Sequence, residues 1–451
     1  MTIIKRIVTI AIATILFGSV VGIMHLSPAA DAHTITDDID KSFVLCAIET
    51  DGQSIYPDND IDMLIVGSPD GVFYPESWTF VLIDADDLEE VDPLDYPAGL
   101  RSHDTVNGQD HTGAHYNCND VAVLDASFPG PSISVDIGDV VQITLVSDID
   151  NEHIHSIDQH AVNGDEHVNS GPIQQGHMKT WVWEAEDSGS FLYHCAGNGL
   201  MNLWTHINNG MYGNIVVQPE DDDDIAVEYS VMFSDMYTKN TTDTQSGITS
   251  PSEHEFDLGA FVAGDNNIMV TNGEAFNYAP FIGAEWGDGA HTLVILNPLD
   301  VFGNPQVLNG APLVAPIDEI TRWYITNPGP NNFLAWHFIA GQMDVRDGST
   351  PQKLMSPVRN EETWTVPPGS SSTTDTVFPS VGPYIGITHK LSDVVKGGAF
   401  AVIACDVDNP SNNVNHPLSQ LLCNDIGGIT SIEDINAFNE AVNPKVIVKE
   451  I

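Results

Sequence analysis

Near the middle of the chain, the segment GSFLYHCAGNGLMNLWTHINNGMYGNIVV (residues 189–217) places a cysteine, two histidines and two methionines within one short stretch. A cysteine thiolate, two imidazoles and a weak axial thioether form the ligand set of blue-copper electron-transfer sites. Cys195, His206 and Met211 lie on one strand–loop–strand segment, so a single loop can deliver three of those ligands. The fourth has to come from elsewhere. EHIHSIDQHAVNG (152–164) offers it, and His155 is the residue chosen. The alternatives are a buried inert thiol for Cys195, plain core packing for Met211, and Met201 as the axial ligand.

Successive side chains of a strand point to opposite faces. If Cys195 faces the interior of its domain, His194 faces outward. The same parity upstream sends His155 one way and Asp158 and His160 the other. His160 and His194 can therefore meet at a second metal site, joined to the first by the His194–Cys195 peptide. Asp158 stands on that second face without having to be a ligand. A catalytic copper wants a third ligand, and the later part of the chain offers His291, His337 and His389. The other histidines, His103, His111, His115, His167 and His177 among them, read as surface groups.

The elements that must position these residues are strands. Short alternating runs separated by Gly, Pro, Asn and Asp dominate, as in SISVDIGDVVQITLVSD (132–148), where two strands break at Ile137-Gly138-Asp139. Such a pattern indicates sandwiches or barrels. SIEDINAFNEAV (431–442) is the best helix candidate, residues 85–120 read as an inserted loop, and QPEDDDD (218–224) marks a domain boundary. At 451 residues the chain accommodates two domains. Lys5 and Arg6 precede an apolar run closed by Ala30-Asp31-Ala32, the pattern of a signal peptide, with an uncleaved anchor as the rival. An exported, extracytoplasmic protein is expected.

Fourteen Lys and Arg stand against 64 Asp and Glu, a formal charge of −50. That surface repels nucleic acid and anionic membranes. Five cysteines leave one over after two disulfides, for which Cys46–Cys118 and Cys405–Cys423 are the pairings chosen on proximity. The cysteine left over is Cys195, and a metal gives an exported thiol a reason to stay reduced.

HSIDQHA, LYHCA, LWTHINNGMYG, AWHFIAG and YIGITHKLSD occur in that order between about residues 120 and 405, with FPGPSISVDIGD and YSVMFSDMYT. In these motifs the chain resembles the copper-containing nitrite reductases. The resemblance implies an all-β fold of two tandem cupredoxin-like Greek-key β-sandwich/barrel domains; with the signal pattern and the boundary above, these are expected at 33–219 and 225–405, after a signal peptide (1–32) and before a C-terminal tail (406–451). It implies one type 1 copper on His155, Cys195, His206 and Met211. It further implies one type 2 copper on His160 and His194 with His389 from a neighbouring subunit of a homotrimer. By the same resemblance Asp158 and His337 handle protons, and Ile339 is the apolar residue over the substrate copper. The implied reaction is reduction of nitrite to nitric oxide, with electrons from an external donor such as a small cupredoxin or cytochrome.

The chain departs from the pattern in places. Ten residues separate Cys195 from His206, about two more than is usual in the family, and Gln342 stands where many members have histidine. His153-Ile154-His155 is an H-x-H pattern like that of laccase-like multicopper oxidases. It is the only one in the chain, and Ala196 rather than histidine follows Cys195. A trinuclear oxygen-reducing centre therefore lacks ligands. A type 1 copper electron carrier, needing only the first set, is the other alternative.

Overall fold

Runs of β-branched and aromatic residues, broken by Gly, Asp and Pro, favour short strands over helices. The computed structural model describes residues 39–449 except 51–52, 55–72, 75–76, 86–87, 92–104, 107–108, 111–114, 119–127, 163–171, 198–202, 221–224, 243–248, 276, 279–311, 347–357 and 395. The expected signal peptide, Met201, His103, His111, His167 and His291 lie outside the described residues.

The first half contains β1 (Lys41–Thr50), β2 (Ser77–Ile83), β3 (Ser132–Asp136), β4 (Val140–Ser147), β5 (Asp158–Gln159), β6 (Met178–Glu184), β7 (Gly189–His194), the short helix α1 (Leu203–Asn208) and β8 (Tyr212–Gln218). One sheet has the order β6–β4–β1–β2 and the other begins β5–β7–β8–β3. The β1–β4 and β8–β3 pairs are parallel, whereas β4–β6 and β7–β8 are antiparallel. Neighbours distant in sequence thus share each sheet, as Greek-key connections require. The two inner faces enclose Phe43, Leu45, Phe80, Ile143 and Trp183. The break expected at Ile137-Gly138-Asp139 is a turn in which Gly138 adopts φ 91°.

The second half contributes β9 (Ile225–Met236), β10 (Ile268–Thr271), β11 (Leu313–Pro316), β12 (Ile320–Gly329), β13 (Leu334–Ile339), β14 (Met343–Val345), β15 (Val358–Glu361), β16 (Trp364–Val366), β17 (Ser370–Val377), β18 (Gly382–Thr388) and β19 (Ala399–Cys405). These form sheets of order β10–β9–β12–β17–β14–β15 and β11–β19–β18–β13–β16. Trp323, Trp336, Phe338 and Phe400 fill the space between them, with the Trp336 and Phe400 rings stacked 5.7 Å apart. The chain is therefore strand-rich and built as two cupredoxin-like sandwiches.

Residues after Cys405 do more than trail away. A disulfide joins Cys405 to Cys423, and α2 (Ile432–Val442) is capped by Ser431, whose side chain accepts from the Asp434 N–H. Asn439 on α2 donates to and accepts from the Val314 backbone at 2.9 and 3.0 Å. The chain then crosses to the first sandwich, where β20 (Val448–Lys449) pairs in parallel with β3. The region 85–120, expected as an inserted loop, contains the paired strands Leu88–Val91 and His115–Cys118, and Cys118 is disulfide-bonded to Cys46 on β1.

β7 carries the residues of interest to its C-terminal end, and all six of its residues are buried. Tyr193 lies opposite Gly213 on β8, and its hydroxyl donates to the Pro131 carbonyl at 2.8 Å. A Cβ at Gly213 would come within 2.2 Å of the Tyr193 ring. Overpacking of this kind costs about 1–3 kcal/mol. Gly213→Ala should lower the thermal unfolding midpoint by several degrees; an unchanged midpoint in calorimetry would contradict the packing described.

Candidate metal centres

The register of the β5–β7 pair fixes which side chains share a face. Asp158 lies directly opposite His194, and Gln159 opposite Tyr193. His160, two residues beyond Asp158, falls on the same side. Cys195 follows His194 and turns the other way, its N–H donating to the Met211 carbonyl at 3.0 Å. One strand end therefore feeds two clusters of donors on opposite faces, as the alternation in the sequence predicts.

In the interior cluster the Nδ1 atoms of His206 and His155 lie 3.3 and 3.8 Å from the Cys195 sulfur. The side chains of all three residues are buried, and Met211 is buried beside them. Part of the long segment between Cys195 and His206 is helical: α1 carries His206 inward, and its Asn208 Oδ1 accepts from the Tyr237 N–H of the second sandwich at 2.7 Å. Two backbone N–H groups, of Ser156 and Gly197, donate to the sulfur at 3.3 and 3.2 Å. Burial opposes ionisation of the thiol. The charge on His206 and the hydrogen bonds with both histidines outweigh it, so Cys195 is held well below the usual thiol range. His155, which burial alone would push down, is raised to about 9 by Cys195 and Glu49. A soft, readily ionised sulfur flanked by two imidazole nitrogens fits copper, and metal entry would displace the proton held between them.

The outward cluster comprises Asp158, His160 and His194. The Nε2 atoms of the two histidines are 3.1 Å apart. One Asp158 oxygen lies 3.8 Å from His194 Nε2 and 4.0 Å from His160 Nε2. His194 Nδ1–H donates to the Cys195 carbonyl at 3.2 Å, which turns the Nε2 lone pair toward the cluster. Two converging imidazoles and a half-exposed carboxylate can hold a metal that retains open positions.

His389 is not in that group. It is exposed just beyond β18, with its ring 5.1 Å from that of His337 on β13. His337 Nδ1–H donates to the Glu362 carbonyl. Ile339 shares the His337 face of β13 and is 47% exposed. Gln342 lines a cleft of 770 Å³ with His337, Arg346 and Arg359. Of the histidines read as surface groups, His177 is half-buried, and for His115 only the backbone strand is described.

Sequence reading missed Glu49 and Trp78. Glu49 accepts from His155 Nε2–H at 2.8 Å, and the Trp78 ring centroid is 4.7 Å from that of His206 and 5.8 Å from that of His155. Burial would raise the Glu49 carboxyl, but its hydrogen bonds with His153 and His155 hold it below the usual carboxylate range. The one signal available was a carboxylate closing the wholly apolar run Phe43–Ile48.

Comparison with known proteins points the same way. A family model described as multicopper oxidase matches residues 105–222. The copper-containing nitrite reductase of Cereibacter sphaeroides is 29% identical over 290 residues, covering 62% of this chain and 68% of that one. The copper-containing nitrite reductase of Alcaligenes xylosoxydans is 27% identical over 286 residues, covering 62% and 77%. The solved copper nitrite reductase of Nitrosomonas europaea superposes with a TM-score of 0.53 at 22% identity, covering 81% of this chain and 94% of that one, a likeness of fold. The chain is similar to copper-containing nitrite reductases over about three fifths of its length and shares the two-domain cupredoxin-like fold.

Proposed function

We propose that this protein is a copper-dependent oxidoreductase that reduces nitrite to nitric oxide, NO2− + 2H+ + e− → NO + H2O. The observation that carries the reading is the pair of donor clusters on opposite faces of one strand end, linked by the His194–Cys195 peptide. His155, Cys195, His206 and Met211 would hold a type 1 copper, and His160 and His194 a type 2 copper. Copper so held supplies one-electron redox chemistry at the sulfur and a Lewis-acidic position for nitrite oxygen at the imidazoles.

The chain's own residues supply the rest. The His194–Cys195 peptide is the short covalent connection between the clusters, and the His194 Nδ1–H to Cys195 carbonyl bond shortens it further. Asp158 stands beside both outward imidazoles with 27% of its side chain exposed, so it can take a proton from solvent and deliver it to a bound anion. His337, anchored through Nδ1 and with its ring 5.1 Å from that of His389, would enter the site together with His389 and present Nε2 for the second proton. We assign the third type 2 ligand to His389 of the partner subunit in a homotrimer. The exposed face shared by His337, Ile339 and His389 supports that assembly, Ile339 being an apolar side chain open to a neighbour. Two disulfides support an exported location, where an external donor would supply the electron.

Two outcomes test these roles. His389→Ala should abolish nitrite turnover in copper-loaded protein while the thiolate-to-copper absorption band survives; retained turnover would remove His389 from the site. Because the reaction consumes protons, kcat should rise as pH falls from 8 to 5. Asp158→Asn should lower kcat roughly 100- to 10,000-fold and flatten that profile, and an unaltered pH–rate curve would remove Asp158 from proton delivery.

A further inference from the structure

The interior cluster has an outer wall that comes from a different part of the chain. Glu49 on β1 and Trp78 on β2 are directly opposite partners in an antiparallel pair, so their side chains share a face. Asn151 anchors the following loop to the end of β1: its Nδ2 donates to the Ala47 carbonyl at 2.7 Å, and its Oδ1 accepts from the Glu49 N–H at 3.0 Å. The Glu49 carboxylate then receives that loop. Oε1 accepts from the His153 N–H at 2.8 Å and from His155 Nε2–H at 2.8 Å. Oε2 accepts from the Glu152 N–H at 3.0 Å and from the His153 ring at 3.1 Å. The Trp78 ring closes over His153, 4.5 Å between centroids, and over the two histidines of the cluster.

We propose that Glu49 is a positioning residue for the type 1 copper, orienting His155 through Nε2 and lowering the reduction potential of the site. This rests on the reading of the interior cluster given above. With Nε2–H committed to Glu49, the His155 tautomer is fixed and Nδ1 is the nitrogen left to face the sulfur, as observed. A carboxylate on the far nitrogen makes the imidazole a stronger donor and orients the ring. Its negative charge also favours the more positive metal state, Cu(II), over Cu(I). The couple is a single electron, Cu(II) + e− → Cu(I), with no proton taken up by Glu49. The same clamp gathers the loop from Glu152 to His155, so the charge and the ring move together.

Glu49→Gln keeps the shape and one accepting oxygen but removes the charge, while Glu49→Ala removes both. The measurement is redox titration of copper-loaded protein, followed by the thiolate-to-copper absorption band. Glu49→Gln should keep the band and shift the Cu(II)/Cu(I) equilibrium about tenfold toward Cu(I), a rise of about 59 mV for a one-electron couple. Glu49→Ala should in addition weaken Cu(II) binding roughly 10- to 100-fold. A residue that merely supported the fold would lower thermal stability without moving the potential of the loaded site. An unchanged potential in Glu49→Gln with an intact band would overturn the role of Glu49 and leave the type 1 reading standing. Absence of the band from copper-loaded unsubstituted protein would overturn both.

Discussion

Adjacent residues on a strand cannot face the same way, and everything distinctive about this protein depends on where that rule is applied. At the end of β7 it sends Cys195 into the first sandwich and His194 out of it, with one peptide between them. The partner strand obeys the same rule in register, bringing Asp158 opposite His194 and leaving His155 to the inside. Two chemically different clusters are thus set a residue apart without any special loop. The cost is that β7 has almost no freedom. It is buried along its length, and Gly213 leaves the space that the Tyr193 ring occupies.

Holding a thiol, two imidazoles and a carboxylate in an interior demands compensation, since unpaired buried polar groups are costly. The compensation here is mutual. The sulfur accepts two backbone N–H groups, the imidazoles face the sulfur, and His155 is bonded on its far side to Glu49. The strand bearing Glu49 is in turn fixed through Cys46 to Cys118, whose N–H donates to Asp148 at 2.9 Å. The second sandwich supports α1 through Tyr237, and the C-terminal segment returns through β20 to the sheet that contains β7. The chain as a whole carries a formal charge of −50, so long-range electrostatics would not steer an anion such as the proposed nitrite toward it.

The parts of the site that could be read from sequence are those encoded locally. Cys195, His206 and Met211 fall within one segment, and the parity of His155, Asp158, His160, His194 and Cys195 is a property of extended backbone, visible in the letters. Glu49 and Trp78 lie between 75 and 128 residues along the chain from the histidines they touch, and periodicity and spacing do not report a contact over that distance. The helix around His206 escaped because six residues are too few to display a 3.6-residue period. The C-terminal residues read as a tail because β20 is only two residues long, and a pairing that short leaves no alternation to detect. Strand content was legible because short alternating runs recur many times along the chain, whereas the two-sandwich plan followed from the resemblance to a known family.

The most direct test of a two-cluster protein is electron paramagnetic resonance of copper-loaded full-length protein, quantified per chain, with and without nitrite. One type 1 and one type 2 signal per chain, the latter alone changing on addition of nitrite, is the expected result. A single type 1 signal, with no second copper bound and no response to nitrite, would contradict the assignment of the outward cluster and reduce the protein to an electron carrier.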